Sequence, residues 1–428
     1  MINQFIRVCK ENKDKTAFVC DKRKISFSEL LSDVFRMVAL FEKKGLRRGS
    51  RVLLLVLPSY EFYVLLFACI YYGINVVVMD SYKDLGRIKR VMKENEIRLA
   101  FCNSLTRLLK PALGSDVELI NVSSFRKHPS AEAIPNTDGT LTVLTTFTSG
   151  TTGMPKPIER SIDSLKRQID VVSKNIEING DDVVYAGLPI YVLLVVYSGL
   201  TCVISKKISK SELDEIGVNA VLAPIAKLLL LKEEFPSIKK LFFGGAMLYE
   251  KEAKQLKKTF PAAEVTYIYG ASECVLMARG ELEHYLTHSF ALRDRIDGVE
   301  LSIICPDSNG VGKIMAVGDV VLTEDRHFVG NDIGYFDEHG LHIVGRSKYS
   351  TEGYYNYLED DRLLHENPSV KKGFSFAYNG KKYFCYEGKA SKSYNDITCI
   401  KFRRLPMDPK HRTKLDYGKV IAKIEKNG

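Results

Sequence analysis

The sequence predicts an α/β protein with a large N-terminal domain and a small α+β C-terminal domain. The first observation behind this prediction is length, because 428 residues exceed one ordinary domain. The second is that amphipathic segments alternate with short apolar runs, which is typical of a parallel sheet covered by helices. The third is that apolar runs after Val299 lie close together between Gly and Asn turns, which is typical of antiparallel strands.

Each predicted element follows from its own pattern. Apolar residues at helical spacing predict helices at 27–42, 61–72, 85–95 and 162–175, with another near Val195. Short apolar runs predict strands at 51–57, 74–79, 99–102, 141–146, 183–186, 202–205, 218–223 and 240–243. We place the domain boundary after Gly345, which gives domains of residues 1–345 and 346–428.

The predicted C-terminal domain is strongly basic. It contains 18 Lys and Arg against 10 Asp and Glu, and therefore carries most of the net charge of +10. A module of this charge could meet nucleic acid, an anionic membrane, a polyphosphate or an acidic protein. A solvated basic surface is the alternative, and charge alone does not decide between these partners.

Cysteine usage and hydropathy indicate the compartment. The nine cysteines, spread from Cys9 to Cys399, form no C-x-x-C pair, which is typical of reduced thiols rather than a disulfide framework. The N-terminal segment is polar, and the apolar runs are far shorter than the roughly 20 residues needed to span a bilayer. We therefore expect a cytoplasmic protein.

The strongest local signal is the segment FTSGTTGMPK at residues 147–156, between a predicted strand and a predicted helix. Glycines allow backbone N–H groups to turn inward around an anion, hydroxyl groups add donors, and Lys156 adds a positive charge. The segment is not a P-loop, because no Gly-Lys-Ser/Thr follows. It predicts a phosphate-binding loop, with a polar turn as the alternative. The residues concerned are Thr148, Ser149, Gly150, Thr151, Thr152, Gly153 and Lys156.

This segment resembles the phosphate-binding motif of the adenylate-forming enzymes, the superfamily of acyl-CoA synthetases, peptide-synthetase adenylation domains and luciferases. Four further segments resemble that family's motifs in the expected order. They are FFGGAM at 242–247, YGASE at 269–273, DIGYFD at 332–337 followed by Gly345-Arg346, and Leu405-Pro406 followed by Lys414. The resemblance covers essentially the whole chain.

The resemblance implies an N-terminal ATP- and acyl-binding domain and a C-terminal lid domain that carries a catalytic lysine. The implied reaction joins a carboxylate to AMP and releases pyrophosphate, with ATP and Mg²⁺ as cofactors and CoA as a further candidate. The implied catalytic residues are Thr148, Glu273 and Lys414. Glu273 would also hold Mg²⁺, because this hard cation prefers carboxylate and phosphate oxygens.

The resemblance also implies a nucleotide site and a hinge. Tyr269 can stack on adenine, Asp332 can accept hydrogen bonds from the ribose hydroxyls, and Lys348 occupies the hinge. The implied nucleotide-binding residues are Ser149, Gly150, Thr151, Thr152, Gly153, Lys156, Gly244, Gly245, Ala246, Tyr269, Gly270, Ala271, Ser272, Asp332, Tyr335 and Arg346.

Several positions depart from the family pattern. Lys348 replaces the usual hinge Asp, and the loop from Lys348 to Gly353 is about two residues shorter than the usual pattern of the family it resembles. In the family this loop helps to form the pantetheine tunnel, so the resemblance implies adenylation more firmly than CoA thioester formation. The P-x-D-x-[RK]-H-x-x-K spacing resembles a subgroup that includes bacterial β-lactone synthetases and favours Lys414 as the lysine. Lys419, which follows a Gly, is the alternative.

The acyl pocket indicates the substrate class. The resemblance places Tyr191, Val192, Gly245 and Gly270 in this pocket. The segment 188–197 contains no acidic residue, and an unpaired ammonium group there would be costly, so a fatty, branched or aryl acid is expected rather than an amino acid.

The second step has alternatives: transfer to a thiol of an acyl carrier protein or CoA, or ring closure of a β-hydroxy acid. A nucleotide-binding regulator is the non-enzymatic alternative. We expect no nucleic-acid or membrane partner.

Overall fold

The computed structural model describes residues 1–79, 84–114, 116–147, 156–205, 208–390, 392–407 and 414–427. The chain divides into two compact units, Met1–Leu222 and Ala223–Gly428, here called unit 1 and unit 2. The domain boundary predicted after Gly345 stays a prediction. The predicted α/β class is confirmed.

Unit 1 alternates strands and helices along most of its length. Its helices are α1 (Ile2–Glu11), α2 (Phe27–Lys43), α3 (Tyr60–Tyr72), α4 (Leu85–Glu94), α5 (Lys110–Leu113), α6 (Ile162–Asn175), α7 (Pro189–Tyr197) and α8 (Lys210–Ile216). Its strands are β1 (Thr16–Cys20), β2 (Arg23–Ser26), β3 (Arg51–Leu55), β4 (Asn75–Val78), β5 (Leu99–Cys102), β6 (Glu118–Asn121), β7 (Thr142–Phe147), β8 (Pro157–Ser161), β9 (Val183–Ala186), β10 (Thr201–Ile204) and β11 (Ala220–Pro224), the last of which crosses the unit boundary.

The sheets of unit 1 are mainly parallel. Among its described residues, six strands pair in the order β6-β5-β3-β4-β7-β8, and only the β7–β8 pair of these is antiparallel. Further strands follow the order β11-β9-β10-β1-β2, where β1 and β2 form an antiparallel hairpin. Strands that are covered on both faces read as continuous apolar runs, which explains why the sequence revealed most of them.

Local sequence explains where the helices begin. The Ser26 hydroxyl accepts a hydrogen bond from Glu29 N, and the Glu29 carboxylate accepts one from Ser26 N at 2.8 Å, which forms a capping box at the start of α2.

Helix α3 is apolar on all sides and is buried from Phe62 to Tyr71, as expected for a helix inside the core.

Unit 2 begins as an α/β layer and continues with an antiparallel sheet and a small mixed sheet. Its helices are α9 (Ile225–Leu228), α10 (Glu250–Thr259), α11 (Leu282–Thr287), α12 (Asn356–Glu366) and α13 (Tyr417–Asn427), with a 3₁₀ turn at Ser347–Tyr349. Its strands are β12 (Lys240–Gly244), β13 (Glu264–Tyr269), β14 (Ala278–Glu281), β15 (Ala291–Leu292), β16 (Asp294–Arg295), β17 (Glu300–Ile304), β18 (Gly312–Val317), β19 (His327–Asp337), β20 (Gly340–Arg346), β21 (Val370–Tyr378), β22 (Lys381–Gly388) and β23 (Ile397–Phe402).

Strand pairing in unit 2 sets up the edge that matters for function. Strands β12 and β13 are parallel, so their carboxyl ends meet at one edge of the sheet. Strands β15, β20, β19, β18 and β17 form an antiparallel sheet in that order, as predicted for the region after Val299. The prediction is wrong for the later pair β22–β23, which is parallel. The last sheet has the order β21-β22-β23 and packs with α13.

Most predicted elements of unit 1 are present within one or two residues of their predicted ends. The strand predicted at 51–57 ends earlier, at Leu55, because Pro58 cannot donate a ladder hydrogen bond and Leu57 is exposed. The sequence did not predict α1 or the β1–β2 hairpin, whose strands are only five and four residues long. Across the described residues, no helix combines the length and apolar character needed to cross a membrane.

Candidate functional site

A cleft in unit 2 lies at the carboxyl ends of β12 and β13, the edge where parallel sheets usually bind ligands. Its empty space is about 390 Å³, including open solvent at its mouth. The described residues that line it include seven from the predicted site: Gly245, Ala246, Tyr269, Gly270, Asp332, Arg346 and Lys414. These residues come from four separate sequence motifs, and the fold brings them together.

Asp332 lies at the centre of a hydrogen-bonded group. It pairs in register with Arg346 across β19 and β20, and Arg346 Nε donates to Asp332 Oδ1 at 2.8 Å. The Tyr269 hydroxyl donates to Asp332 Oδ2 at 3.3 Å. Both side chains of the Asp332–Arg346 pair are 20% exposed, so this ion pair is partly shielded from solvent. The carboxylate is therefore oriented by two donors and remains accessible from the cleft.

Burial and neighbouring charges fix the protonation states around this carboxylate. Burial raises the pKa of Tyr269 well above its ordinary value, and nearby Asp332 adds to that shift. Burial opposes the charge of Arg346, but Tyr357 and Asp332 nearby raise its pKa above the ordinary value. At neutral pH, Tyr269 is therefore a neutral hydroxyl donor and Arg346 is a cation.

Glycines are required where the backbone passes close to its neighbours. A Cβ atom at Gly244 would collide with Ile268 O, and one at Gly270 would collide with Val275 O. Gly245 has φ of +94°, a left-handed conformation that favours glycine. The turns after β12 and β13 can therefore bring their main chains up to the cleft.

The two candidate lysines lie in different surroundings. Lys414 lines the cleft, and its segment is held by a bridge between Met407 and Leu415 and by a hydrogen bond from Asp416 N to Pro406 O at 2.8 Å. The side chain of Lys419 is 70% exposed on α13, with its Nζ 2.7 Å from Asp416 Oδ2.

The predicted hinge is packed against the Lys414 segment. Lys348 lies in the 3₁₀ turn, with its Nζ 5.5 Å from the centre of the Tyr349 ring. The Tyr349 ring stacks on Tyr417, with centroids 3.7 Å apart. Because Tyr417 follows Lys414 by three residues, this stack connects the hinge to the segment that carries the lysine.

Other predicted site residues lie elsewhere. Thr148, Ser149, Gly150, Thr151, Thr152 and Gly153 fall outside the described residues. In unit 1, Lys156 is exposed just before β8, whereas Tyr191 and Val192 are buried on α7. In unit 2, Tyr335 is absent from the described lining of the cleft, and its ring stacks on His342 with centroids 4.5 Å apart.

The turn after β13 carries the remaining predicted residues, which include the metal ligand. Ala271 N donates to Cys274 O at 2.8 Å, which closes the turn around Ser272 and Glu273. Glu273 O accepts a hydrogen bond from Leu322 N at 3.0 Å, which fixes the backbone that carries the carboxylate. In the described part of the chain, no group of three or more His, Cys, Asp or Glu side chains is arranged to hold a metal ion.

Sequence reasoning missed two residues on α12. Tyr357 lines the cleft, and burial raises its pKa above the ordinary value. Asn356 is fully buried, and its Oδ1 accepts hydrogen bonds from Arg346 N at 2.8 Å and Ser350 Oγ at 2.6 Å. The three tyrosines at 354, 355 and 357, just after the predicted hinge, were the available signal, but they do not show which ring faces the cleft.

The chain is similar in sequence to known proteins. A family model described as AMP-binding enzyme matches residues 5–293. A D-alanine–D-alanyl carrier protein ligase from Bacillus licheniformis is 23% identical over 416 residues, which cover 84% of this chain and 82% of that protein. Hybrid PKS-NRPS synthetase LUC5 from a Fusarium species is 31% identical over 150 residues, which are 35% of this chain but only 4% of that synthetase.

Solved structures show the same fold. O-succinylbenzoate coenzyme A synthetase (MenE) from Bacillus subtilis, in complex with AMP, superposes with a TM-score of 0.84 at 18% identity over 97% of both chains. ATP-bound MatB from Rhodopseudomonas palustris superposes with a TM-score of 0.83 at 18% identity over 98% of both chains. The predicted fold class, including its likeness to adenylate-forming enzymes, is confirmed.

Proposed function

This chain belongs to the AMP-binding enzyme family, and from that premise we propose that it is an acid–thiol ligase that adenylates an apolar carboxylic acid. The first step joins the acid to AMP and releases pyrophosphate, and the second transfers the acyl group to a thiol. One observation carries the proposal: Lys414 lines the same cleft as Asp332, Arg346 and Tyr269. A cation, a ribose acceptor and an aromatic ring are the groups that an adenylation site needs.

The residues of the cleft suit a nucleotide. Tyr269 presents a neutral ring at the carboxyl end of β13, where an adenine can stack. The Asp332 carboxylate, already oriented by Arg346 and Tyr269, can accept hydrogen bonds from ribose hydroxyls. MenE, which has this fold, has also been solved in complex with ATP and a magnesium ion.

Glu273 is the residue of this chain that we assign to Mg²⁺. Mg²⁺ keeps several waters and commonly uses one or two carboxylates together with substrate phosphates, so a single carboxylate suits it. When bound, the ion would neutralise charge on the phosphates. Closure of the turn between Ala271 and Cys274 holds the backbone of Glu273 in place. We assign the loop 148–153 and Lys156 to the phosphates on the sequence resemblance.

Lys414 has the central chemical role in this proposal. Attack of a carboxylate oxygen on the α-phosphate brings two anions together and builds charge on the phosphoryl oxygens. A preorganised cation at that point stabilises the transition state more than the ground state. Arg346 is a second cation in the cleft, and its bond to Asp332 orients it. The acyl-adenylate forms as the bond between the α- and β-phosphates breaks, and pyrophosphate leaves.

The acyl group is proposed to be fatty or aryl. Helix α7, which carries the predicted pocket residues Tyr191 and Val192, contains no acidic residue from Pro189 to Tyr197 to pair with an α-amino group. The D-alanine–D-alanyl carrier protein ligase shows that amino-acid ligases occur among its relatives. Because α7 carries no carboxylate, we expect this chain to differ from that ligase and to prefer acids without an α-amino group.

The proposed acceptor is the phosphopantetheine thiol of an acidic carrier protein. Residues 346–428 carry 18 Lys and Arg against 10 Asp and Glu, and a basic surface accelerates association with an acidic partner. CoA is the second candidate, because MenE and 4-coumarate–CoA ligase-like 6 of Arabidopsis thaliana are named for it. Ring closure of a β-hydroxy acid would be recognised by a lactone product without any thiol.

A pair of lysine variants tests the assignment of Lys414. Lys414→Ala should lower the rate of ATP–pyrophosphate exchange by about 100-fold or more, with ATP affinity changed only about twofold, because the contact matters in the transition state. Lys419→Ala is the matched control and should retain the exchange rate, because that side chain is paired with Asp416 at the surface. A large loss with Lys419→Ala and none with Lys414→Ala would overturn the assignment.

A further inference from the structure

Two segments that line the cleft also contact each other just beyond their lining residues. The first is the turn after β12, where Gly245 and Met247 line the cleft and Tyr249 caps the start of α10. The second is α12, where Tyr357 lines the cleft and Asp360 follows three residues later. Residues three apart lie on the same face of a helix, so the α12 face that meets the cleft also carries Asp360.

Tyr249 and Asp360 form a buried hydrogen bond. The Tyr249 hydroxyl donates to Asp360 Oδ2 at 2.6 Å, and the two residues are 5% and 1% exposed. Ser375 N donates to the other carboxylate oxygen, Oδ1. Leu363 and Leu364 pack in the same apolar cluster as Tyr249. Because water cannot readily replace a lost partner here, breaking this bond costs more than breaking one at the surface.

Further contacts join the start of α10 to α12 and to β21. Glu250 N, the first residue of α10, donates to Asp361 Oδ1 at 3.1 Å. Lys251 Nζ donates to Val370 O at 2.9 Å. Both contacts are less buried than the Tyr249–Asp360 bond, which lies nearest in sequence to the residues that line the cleft. The bond therefore fixes the position of α12 relative to the turn after β12.

The contact also reaches the Lys414 segment through packed residues. Ser375 precedes Phe376 on β21, and the Phe376 ring meets Tyr417 edge-on with centroids 5.4 Å apart. Tyr417 stacks on Tyr349 and follows Lys414 by three residues. A shift of α12 and β21 would therefore move Phe376 and Tyr417, and with them the segment that carries Lys414.

We propose that Tyr249 and Asp360 are a positioning pair for adenylation, which holds Tyr357 and Lys414 in the cleft. The inference rests on the proposed function, because there Lys414 acts where carboxylate and α-phosphate meet. Acyl transfer from a finished adenylate to a thiol does not use that charge stabilisation. Loss of the pair should therefore slow the first half-reaction and spare the second.

Tyr249→Phe removes only the hydroxyl, and Tyr60→Phe is its matched control. The Tyr60 hydroxyl donates to Asp33 Oδ2 at 2.9 Å, and those residues are 4% and 6% exposed in unit 1. Tyr249→Phe should slow ATP–pyrophosphate exchange about tenfold, as loss of one buried hydrogen bond permits. Its rate of transfer from a synthetic acyl-adenylate to pantetheine should change less than about twofold. Tyr60→Phe should leave both rates within about twofold. Equal loss in both half-reactions, or in neither, would overturn the proposal.

Amide hydrogen exchange provides a readout that needs no substrate. Tyr249→Phe, and independently Asp360→Asn, should increase exchange across α12 without changing α2, which lies in unit 1. Unchanged protection of α12 in both variants would contradict the proposal even if the enzyme were inactive. Absence of pyrophosphate exchange in the wild-type protein with every acid would instead contradict the proposed function.

Discussion

Replacing Asp332 with asparagine isolates the charge at the centre of the cleft. The carboxylate accepts hydrogen bonds from Arg346 Nε at 2.8 Å and from the Tyr269 hydroxyl at 3.3 Å, and its side chain is 20% exposed. Asparagine has nearly the same shape but only one acceptor oxygen, so its amide nitrogen must face one of these donors. The substitution therefore removes the charge-assisted bond and disturbs the proposed ribose acceptor.

The expected magnitude follows from the bond that is lost. A hydrogen bond to a charged group contributes about 1.5–3 kcal/mol, and about 1.4 kcal/mol corresponds to a tenfold change in affinity. Asp332→Asn should therefore weaken ATP binding roughly 10- to 100-fold, measured by calorimetry and as KM for ATP in pyrophosphate exchange. The free energy of unfolding should also fall, because Arg346 loses its partner.

Asp337 provides the matched control on the same strand. Its Oδ1 accepts a hydrogen bond from His342 Nε2 at 2.8 Å, and it is absent from the described lining of the cleft. Asp337→Asn should lower stability but change ATP affinity by less than about twofold. If Asp332→Asn bound ATP as tightly as the wild-type protein, or if both variants weakened binding equally, Asp332 would not be the ribose acceptor.

Two further predictions concern pH and the acceptor. Burial raises the pKa of Asp360 to about 8, although hydrogen bonds from Tyr249 and Ser375 oppose the shift. In the unfolded chain an Asp carboxyl loses its proton at about pH 4, whereas folded Asp360 keeps its proton up to about pH 8. The contribution of Asp360 to the free energy of unfolding therefore falls as pH rises from about 4 toward 8. The Tm of the wild-type protein relative to Asp360→Asn should therefore fall between pH 5 and pH 8, and a pH-independent difference would contradict this cause. Transfer to an acidic carrier protein should exceed transfer to CoA and slow as salt rises. Equal, salt-independent transfer to both would refute carrier steering.

Much of the fold could be predicted because its signals are local. Apolar runs identified β5 and β9 with both ends in place, and helical spacing identified α2 within one residue. The β1–β2 hairpin was missed because β2 (Arg23–Ser26) contains a single buried apolar residue, Ile25, and therefore shows no apolar run. Strand β1 is stabilised by tertiary pairing with β10, which local sequence does not show.

The candidate site likewise contains residues that the sequence predicted and residues that it did not. Gly245, Tyr269 and Asp332 belong to motifs that the sequence displays, and the structure places them in one cleft. Tyr357 belongs to no such motif, and its position depends on how α12 packs. The bond between Tyr249 and Asp360 joins residues 111 positions apart, a separation at which local pattern carries no information.

ATP–pyrophosphate exchange across a panel of carboxylic acids is the most direct measurement of the proposed activity. The panel should include medium- and long-chain fatty acids, aryl acids, β-hydroxy acids and the free α-amino acids, with Lys414→Ala as the inactive control. We predict exchange with at least one apolar acid, and its loss in the control. The absence of an acidic residue on α7 further predicts that no amino acid matches that rate. Fastest exchange with an amino acid, or no exchange with any acid while ATP still binds, would contradict the proposed function.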